Sequence, residues 1–360
     1  MKELRLMKGN EAFAEAAIRA GADGYFGYPI TPQSEVMEYL MAQKTEERTG
    51  MVTLQAESEI AAINMVYGGA CCGKRVLTSS SSPGISLKQE GISYIAGAEL
   101  PCVILNCVRG GPGLGTIQPS QSDYFQSTKG GGHGDYRLIV LAPASVQEMA
   151  DFASLGFDLA FKYRNPVLIL ADGAIGQVME KVELQPQQPR LTMDEIKKNT
   201  PWATVGRANG RERNFVTSLD LDSLRMEKHN HDLQAKYRQI EENEMRYEAL
   251  QCDDADYIFV AYGTSSRLCQ KAIQLAREEG IKVGLLRPIT LFPFPKKPLE
   301  DLSKRVKGML VVELSMGQMI EDVRLSVHDK IKVEHFGRAG GMIPSPHDIV
   351  DALKKQIIGG

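Results

Sequence analysis

The chain has 360 residues, of which 42 are lysine or arginine and 45 are aspartate or glutamate, giving a formal net charge of -3. This length predicts two domains, and a content of 43% hydrophobic and 24% charged residues is typical of soluble globular proteins. No apolar run approaches the ~20 residues of a membrane span, and the near-neutral charge argues against nucleic acid as a partner.

The amino-terminal segment and the cysteines indicate where the protein works. The first residues lack the apolar stretch of a secretory signal, so we expect a cytoplasmic protein. No two of the six cysteines have the C-x-x-C spacing of zinc, redox or iron–sulfur motifs. Cys102 and Cys107 lie in an apolar run typical of a core strand. We therefore predict no metal site in this chain, and any iron–sulfur cluster has to be carried by another one.

Residues 10–184 alternate short β-branched runs with longer amphipathic segments, a pattern that predicts a parallel sheet with helices. The first helix is predicted from an N-cap at Asn10 to a stop at Gly21. Further helices are predicted over 33–44, 57–70, 84–97 and 145–162. Strands are predicted over 24–28, 51–55, 75–79, 101–108, 137–142 and 166–171.

Residues 185–254 are polar, and we interpret them as a linker with a partly exposed helix over 223–250. The apolar positions of this helix are Leu233, Tyr237, Ile240 and Met245. His229 and His231 fall in the same charged run, where surface positions are more common than metal ligands. From 255 a second, smaller α/β unit begins. Its predicted strands include 281–286, 309–314 and 331–336, and a helix closes the chain near 346–357.

Two glycine-rich segments resemble phosphate-binding loops without matching them. Residues 68–74 fit the spacing G-x-x-x-x-G-K, but Arg75 stands where the magnesium-binding serine or threonine is required. Residues 110–115 follow a strand, but Thr116 replaces the last glycine of a dinucleotide-binding motif. We reject the first as a nucleotide site, whereas the backbone amides of the second remain candidates for an anion site.

Three polar residues near predicted strand ends are candidates for function, each with a structural alternative. Thr31 is either a helix N-cap or part of a ligand site at the end of a strand. Glu59 begins an otherwise apolar helix, where it either complements the helix dipole or holds a proton. Arg109 ends an apolar strand, so its guanidinium either forms an ion pair or binds a carboxylate through two hydrogen bonds.

Four features, in this order, resemble one family: Tyr28-Pro29-Ile30-Thr31-Pro32, Glu59 within QAESEIAA, SSSSPG at 79–84, and the glycine loop after Arg109. They are similar to the α subunit of the 2-oxoacid:ferredoxin oxidoreductases, especially the branched-chain (2-oxoisovalerate) type. The resemblance covers nearly the whole chain. It implies an α/β fold in which a parallel-sheet, thiamine-diphosphate pyrimidine-binding domain (1–184) is joined through the linker (185–254) to a smaller transketolase C-terminal-like domain (255–360).

The resemblance also implies roles for individual residues. Glu59 falls where the family's glutamate hydrogen-bonds N1′ of the cofactor's aminopyrimidine, so it would be both catalytic and cofactor-binding. Pro29 and Ile30 would bind the cofactor beside it. Thr31 would be catalytic and would bind the substrate together with Arg109. The resemblance assigns no role to four residues of the following loop, Gln121, Asp123, Lys129 and His133.

The chain lacks the Gly-Asp-Gly stretch and following asparagine with which thiamine enzymes hold magnesium and the diphosphate. The resemblance therefore implies a partner β subunit that carries this half of the site and an iron–sulfur cluster. A γ subunit and a ferredoxin-like δ subunit would pass electrons to ferredoxin. The implied ligands are thiamine pyrophosphate, a 2-oxo acid and coenzyme A, and the chain would be active only in this hetero-oligomer.

The predicted function is thus oxidative decarboxylation of a 2-oxo acid, 2-oxoisovalerate in particular, to an acyl-CoA with reduction of ferredoxin. Three alternatives stay open. One is a 2-oxoglutarate-specific member of the same family, although no residue can be assigned as the second cation for a dicarboxylic substrate. The others are a subunit of a non-redox thiamine enzyme and a non-catalytic scaffold subunit.

Overall fold

The computed structural model describes residues 3–207, 210 and 212–359. The strands are β1 (Glu3–Lys8), β2 (Gly24–Gly27), β3 (Val52–Gln55), β4 (Val76–Ser80), β5 (Val103–Val108), β6 (Ile139–Leu141), β7 (Val167–Asp172), β8 (Met179–Leu184), β9 (Tyr247–Leu250), β10 (Tyr257–Val260), β11 (Val283–Pro288), β12 (Thr290–Phe292), β13 (Gly308–Glu313) and β14 (Lys332–Gly337). The helices are α1 (Gly9–Arg19), α2 (Ser34–Ala42), α3 (Thr45–Thr49), α4 (Glu59–Cys71), α5 (Ser82–Gly97), α6 (Tyr124–Thr128), α7 (Val146–Tyr163), α8 (Gly173–Gln177), α9 (Met193–Asn199), α10 (Ser223–Asn243), α11 (Gly263–Glu278), α12 (Lys296–Ser303), α13 (Met319–Val327) and α14 (Pro346–Ala352), which continues as a π-helical segment over Leu353–Ile358.

The larger sheet has seven strands in the order β12-β6-β7-β5-β4-β2-β3. Neighbouring strands from β6 to β3 run parallel, and β12 pairs antiparallel with β6. Every residue of the central strands β5 and β7 is buried, as expected for a parallel sheet covered by helices on both faces. This architecture confirms the α/β class predicted from the sequence.

The smaller sheet has five strands in the order β14-β13-β10-β11-β9, parallel except for the antiparallel pair of β9 and β11. Helices α11 and α14 pack together against this sheet through buried aliphatic side chains such as Ile273, Leu310 and Ile349. A separate two-stranded antiparallel sheet pairs β1, near the start of the chain, with β8. None of the described helices combines the length and the hydropathy of a bilayer-crossing segment, and the cytoplasmic location stays a prediction.

The first helix begins differently from its prediction. Helix α1 starts at Gly9 after Lys8, so Asn10 lies inside the helix and is not its N-cap. The Asn10 side-chain amide instead donates to the carbonyl of Pro32 at 2.8 Å and to Glu35 at 3.0 Å. Asn10 therefore ties α1 to the segment that precedes α2, a long-range role that local sequence cannot reveal.

The charge-rich pattern predicted over 223–250 forms α10, which ends at Asn243, before Met245. Its buried side chains are Leu233, Tyr237 and Ile240. A ring nitrogen of His229 lies 2.7 Å from the carbonyl oxygen of Gly97, so this histidine helps to attach α10 to the end of α5. Although most of its surface is polar, α10 thus packs through these side chains on the helices and strands of the larger α/β unit.

The two α/β units are joined by buried polar contacts at Asp172 and Gln121. The Asp172 carboxylate accepts hydrogen bonds from the backbone and the hydroxyl of Thr264, at 2.8 and 2.6 Å. The Gln121 side chain donates to the carbonyl of Tyr262 at 2.8 Å and accepts from the amide of Leu314 at 2.9 Å. Gln121, to which the sequence assigned no role, therefore fixes the smaller unit against the larger sheet.

Candidate active site

The candidate residues follow four strands that are adjacent in the larger sheet, β3, β2, β4 and β5. Glu59 follows β3, Thr31 follows β2, Ser80 ends β4 and Arg109 follows β5. Because parallel strands present their carboxyl ends at one edge, the fold brings these residues to the same crevice. Open α/β sheets bind their ligands at this edge.

Glu59 is a nearly buried carboxyl at the start of α4, with 6% of its surface exposed. Ser58 caps the helix by accepting a hydrogen bond from the amide of Ala61 at 3.2 Å, so α4 begins two residues later than predicted. Among the described residues, the Glu59 side chain has no hydrogen-bond or ion-pair partner. Buried polar groups are normally satisfied, so this carboxyl is suited to a ligand.

The first turn of α5 approaches the Glu59 carboxyl closely because residue 84 is glycine. A Cβ atom at Gly84 would lie 2.2 Å from the hydroxyl oxygen of Ser80 and 2.7 Å from Oε1 of Glu59. Both distances are far below van der Waals contact. Gly84 therefore creates the space in which the hydroxyl and the carboxyl lie side by side.

Three buried polar atoms at this edge have no hydrogen-bond partner among the described residues: Oγ of Ser80, Oγ of Ser81 and Nε of Arg109. Such atoms destabilise a fold unless water, a ligand or another chain satisfies them. Together with Glu59 they form a set of polar groups that have no partner in the described part of the chain. This arrangement fits a binding site that is completed from outside the chain.

Arg109 connects the loops that follow β2 and β5. Its guanidinium donates to the backbone carbonyl of Thr31 at 2.9 Å and to that of Leu114 at 3.0 Å. Its own backbone amide donates to the hydroxyl of Ser82 at 3.1 Å. No carboxylate of the described chain forms an ion pair with Arg109, so its positive charge is not neutralised within these residues.

Thr31 is not the N-cap of the following helix, since α2 begins at Ser34 and Gln33 holds the N-cap position. Its side chain is exposed, and Pro29 and Ile30 beside it are half-buried. The backbone carbonyl of Thr31 is bound by Arg109, whereas its hydroxyl has no protein partner among the described residues. The structure therefore brings Thr31 and Arg109 into direct contact and leaves the hydroxyl available.

A cavity of about 350 Å³ lies beside Arg109. It is lined by residues of the glycine loop and of α5, and by two turns of the smaller unit that include Met316 and Gly340. Glu59 and Thr31 do not line this cavity. The sequence analysis did not predict that the smaller unit contributes to this cavity. The glycines at 337, 340 and 341 were the one sequence feature that could have indicated a turn there.

Of the remaining loop residues without an assigned role, Asp123 alone lines the cavity. Its carboxyl accepts a hydrogen bond from Asn106 at 2.9 Å, and burial raises its pKa. Lys129 forms an ion pair with Asp322, and His133 is exposed.

In the described part of the chain, no three histidine, cysteine, aspartate or glutamate side chains lie close enough together to hold a metal ion. All six cysteines are free thiols. The chemistry that the crevice offers is therefore that of a carboxyl, a guanidinium and several hydroxyls.

Comparison with protein families gives two matches that together cover most of the chain. Residues 15–249 match the family model described as pyruvate flavodoxin/ferredoxin oxidoreductase, thiamine diphosphate-binding. Residues 255–349 match core domain II of pyruvate:ferredoxin oxidoreductase. The candidate residues Thr31, Glu59 and Arg109 all fall within the first match.

Curated relatives match over almost the whole length. The ketoisovalerate oxidoreductase subunit VorB of Methanothermobacter thermautotrophicus is 49% identical, covering 98% of this chain and 97% of the relative. The same subunit of Methanothermobacter marburgensis is 50% identical with the same coverage. The 2-oxoglutarate synthase subunit KorA of Archaeoglobus fulgidus is 36% identical, covering 93% of this chain and 95% of the relative.

Two solved structures share the architecture. The 2-oxoglutarate:ferredoxin oxidoreductase from Magnetococcus marinus, with 2-oxoglutarate, coenzyme A and succinyl-CoA bound, has a TM-score of 0.85 at 27% identity and covers 99% of this chain. This chain corresponds to 66% of that one. A split-gene transketolase, described as an inactive beta4 tetramer, has a TM-score of 0.61 at 13% identity, with 98% of both chains covered. The second likeness concerns the fold alone.

Proposed function

Because the chain belongs to the pyruvate flavodoxin/ferredoxin oxidoreductase family, we propose that it is the α subunit of a 2-oxoacid:ferredoxin oxidoreductase acting on 2-oxoisovalerate. The reaction is the oxidative decarboxylation of the 2-oxo acid to an acyl-CoA with reduction of ferredoxin. The family predicted from the sequence is confirmed by relatives at 49% and 50% identity. The KorA relatives, named as 2-oxoglutarate synthase subunits, are 34% to 36% identical, which favours the branched-chain substrate.

The observation that carries this proposal is the nearly buried carboxyl of Glu59 beside Gly84, which no other described residue pairs. In our proposal Glu59 hydrogen-bonds N1′ of thiamine pyrophosphate and holds a proton there, while Pro29 and Ile30 pack beside the ring. When bound, this cofactor supplies the electron sink that decarboxylation of a 2-oxo acid requires. The space around Glu59 fits such a ligand because the Ser80 hydroxyl beside the carboxyl is a buried group without a partner among the described residues.

Arg109 and Thr31 are proposed to bind the substrate. The guanidinium brings a positive charge to the cavity edge and binds the backbone carbonyl of Thr31 at 2.9 Å, and the exposed Thr31 hydroxyl belongs to the same residue. Arg109 is the single cationic side chain among the described residues that line the cavity. One cation suits the single carboxylate of 2-oxoisovalerate, whereas 2-oxoglutarate carries two carboxylates.

The proposed partner is a β subunit that supplies magnesium, the diphosphate-binding half of the site and an iron–sulfur cluster. The relatives are named as subunits, in agreement with a multi-subunit enzyme. Ile60, which follows Glu59 on α4, is 50% exposed, and Leu87, three residues after Gly84 on α5, is 51% exposed. Exposed apolar side chains beside an incomplete site support its coverage by a partner. We extend the proposal to γ and δ subunits that pass electrons to ferredoxin.

The proposal is tested by anaerobic affinity purification of the complex and assay of viologen reduction that depends on coenzyme A. We expect kcat/KM to be at least about tenfold higher with 2-oxoisovalerate than with 2-oxoglutarate or pyruvate. A pocket shaped for one side chain typically lowers kcat/KM for a substrate of another size by about tenfold or more. A preference for 2-oxoglutarate would contradict the substrate assignment. Bound thiamine pyrophosphate without viologen reduction would indicate a non-redox enzyme, and a complex unable to bind the cofactor would indicate a scaffold.

Replacing Gly84 by alanine tests the space around Glu59. The new methyl group would overlap both the Ser80 hydroxyl and the Glu59 carboxyl, so the carboxyl has to move. We expect thiamine pyrophosphate to bind the Gly84→Ala complex at least about tenfold more weakly, since the loss of one charge-assisted hydrogen bond is of this size. Isothermal titration calorimetry of the assembled complex measures the change.

Gly68 on α4 provides the matched control. A Cβ atom there would meet nothing within 4 Å, and alanine favours a helix over glycine by about 1 kcal/mol. Gly68→Ala should leave cofactor affinity unchanged and increase stability slightly. Equal affinities of the wild-type and Gly84→Ala complexes would show that the cofactor does not use this space.

A further inference from the structure

Two large apolar side chains that line the cavity beside Arg109 are exposed to solvent. Leu114, in the glycine loop, has 78% of its surface exposed, and Met316, in the turn that follows β13, has 82% of its surface exposed. Single exposed apolar residues are common on protein surfaces, whereas apolar side chains grouped beside one cavity indicate a binding surface. The cavity therefore offers apolar contacts as well as the charge of Arg109.

The turn that carries Met316 is fixed on both sides. The buried carboxylate of Glu313, at the end of β13, accepts a hydrogen bond from the backbone amide of Gln318 at 3.1 Å and also binds the next two amides of the chain. The Gln318 side chain donates to the carbonyl of Ser122 at 2.7 Å and accepts from the amide of Phe125 at 2.8 Å. Because these bonds join the turn to the larger unit, Met316 is exposed on a fixed backbone.

The glycine loop that carries Leu114 is fixed as well. The Arg109 guanidinium donates to the carbonyl of Leu114 at 3.0 Å, and the amide of Thr116 closes the loop by donating to the carbonyl of Gly110 at 2.7 Å. A Cβ atom at Gly110 would lie 3.1 Å from the carbonyl carbon of Gly340, so this loop also packs closely on the smaller unit. The fold thus holds the positive charge of Arg109 and the side chain of Leu114 in one short loop.

The combination of one cation with apolar side chains selects a class of ligand. A small molecule that satisfies both has a carboxylate at one end and a short aliphatic chain at the other. Methionine is unbranched and flexible, so the Met316 side chain can adapt to the shape of a branched chain. A second carboxylate on the ligand would instead face Leu114 and Met316, and removing an unpaired charge from water is strongly unfavourable.

We propose that Met316 and Leu114 are specificity-determining residues, which contact the aliphatic side chain of the 2-oxo acid whose carboxylate binds Arg109. The inference rests on the proposed function, because that function places the substrate at Arg109. Through Met316 the smaller unit takes part in the choice of substrate, although Glu59 and Arg109 both belong to the larger unit.

The test is the ratio of kcat/KM for 2-oxoisovalerate to kcat/KM for pyruvate in the assembled Met316→Ala and Leu114→Ala complexes, measured by viologen reduction that depends on coenzyme A. Pyruvate has a methyl group where 2-oxoisovalerate has an isopropyl group, so it reaches less of the apolar surface. Since one methylene in an apolar pocket changes kcat/KM by about tenfold or more, we expect this ratio to fall about tenfold in each variant. The value for pyruvate itself should stay close to that of the wild type.

Met316→Lys tests the same position for a gain of activity. Lysine is a little longer than methionine, and its ammonium can bind the second carboxylate of 2-oxoglutarate. We expect kcat/KM for 2-oxoglutarate to rise about tenfold, the size of one hydrogen bond between charged groups, and kcat/KM for 2-oxoisovalerate to fall. Because Met316 is exposed, neither substitution at this position removes a core contact.

Met342→Ala is the matched control. Met342 is another exposed methionine of the smaller unit, two residues after Gly340, and it is not among the described residues that line the cavity. Its ratio of kcat/KM values should match that of the wild type.

A wild-type ratio in both Met316→Ala and Leu114→Ala would overturn the inference and leave the proposed function standing. Loss of the partner subunit from these variants, or a rise in KM for coenzyme A alone, would also overturn it, because the two side chains would then contact the partner or the coenzyme. Failure of the wild-type complex to oxidise any of the three 2-oxo acids would instead contradict the proposed function.

Discussion

Replacing Glu59 by glutamine is expected to reduce kcat of the assembled enzyme by about 10²–10⁴-fold, the usual contribution of a positioned acid or base. The amide has the same shape as the carboxyl but cannot exchange a carboxyl proton with the cofactor. The fold should not suffer, because Ser58 caps α4 and Glu59 binds no other described residue. Viologen reduction dependent on coenzyme A and on 2-oxoisovalerate measures the loss.

Glu57 gives the matched control for this substitution. It is the same residue type two positions earlier, but it is exposed and precedes the helix. Glu57→Gln should retain wild-type turnover. Turnover near the wild-type value in Glu59→Gln, with the complex intact, would remove Glu59 from the chemistry and with it the main support for the cofactor assignment.

The central strands β5 and β7 of the larger sheet could be predicted because their continuous apolar runs indicate burial directly. The strand predicted over 101–108 is β5, and all six residues of β5 are buried. Strands β1, β8, β9 and β12 were missed for the opposite reason. They are short or rich in charged residues, and their partners are distant in sequence, as for Thr290 of β12 opposite Leu141 of β6. Their structure depends on tertiary contacts that a local pattern does not contain.

The position of the candidate site in the fold could be predicted in part. Thr31, Glu59 and Arg109 stand at strand ends, and a parallel sheet necessarily brings such positions to one edge. The turns at Met316 and Gly340 could not be placed, since the packing of the smaller unit on the larger sheet is fixed by buried contacts far apart in sequence.

Lys88 is a fully buried lysine on α5 that donates to the hydroxyl of Thr78 at 2.6 Å, and its burial could have been predicted from the sequence. It follows Gly84 and precedes Ile92 at intervals of four residues, so helical periodicity places it on the buried stripe of α5. A lysine on such a stripe is uncommon unless it is paired. The signal was therefore a charged residue in an apolar pattern, not a motif.

Replacing Arg109 by methionine is expected to raise KM for 2-oxoisovalerate and to lower kcat/KM by about 10²-fold or more, because removing a buried charged hydrogen-bond donor costs about 2–5 kcal/mol. Two effects contribute to this loss. The substrate carboxylate loses its cation, and the carbonyls of Thr31 and Leu114 lose the donor that joins their loops. Arg109→Lys separates these effects, because lysine keeps the positive charge but lacks the planar guanidinium whose N–H groups bind both carbonyls.

If Arg109 binds the carboxylate, Arg109→Lys should show a smaller rise in KM than Arg109→Met at similar thermal stability. If Arg109 only joins the loops, both variants should lose stability to the same extent while KM for the 2-oxo acid stays at the wild-type value. Arg225→Met on the exposed face of α10 removes a positive charge distant in sequence from the crevice, so it controls for the net charge of the chain. The KM values of the three variants therefore decide between a substrate-binding and a purely structural arginine.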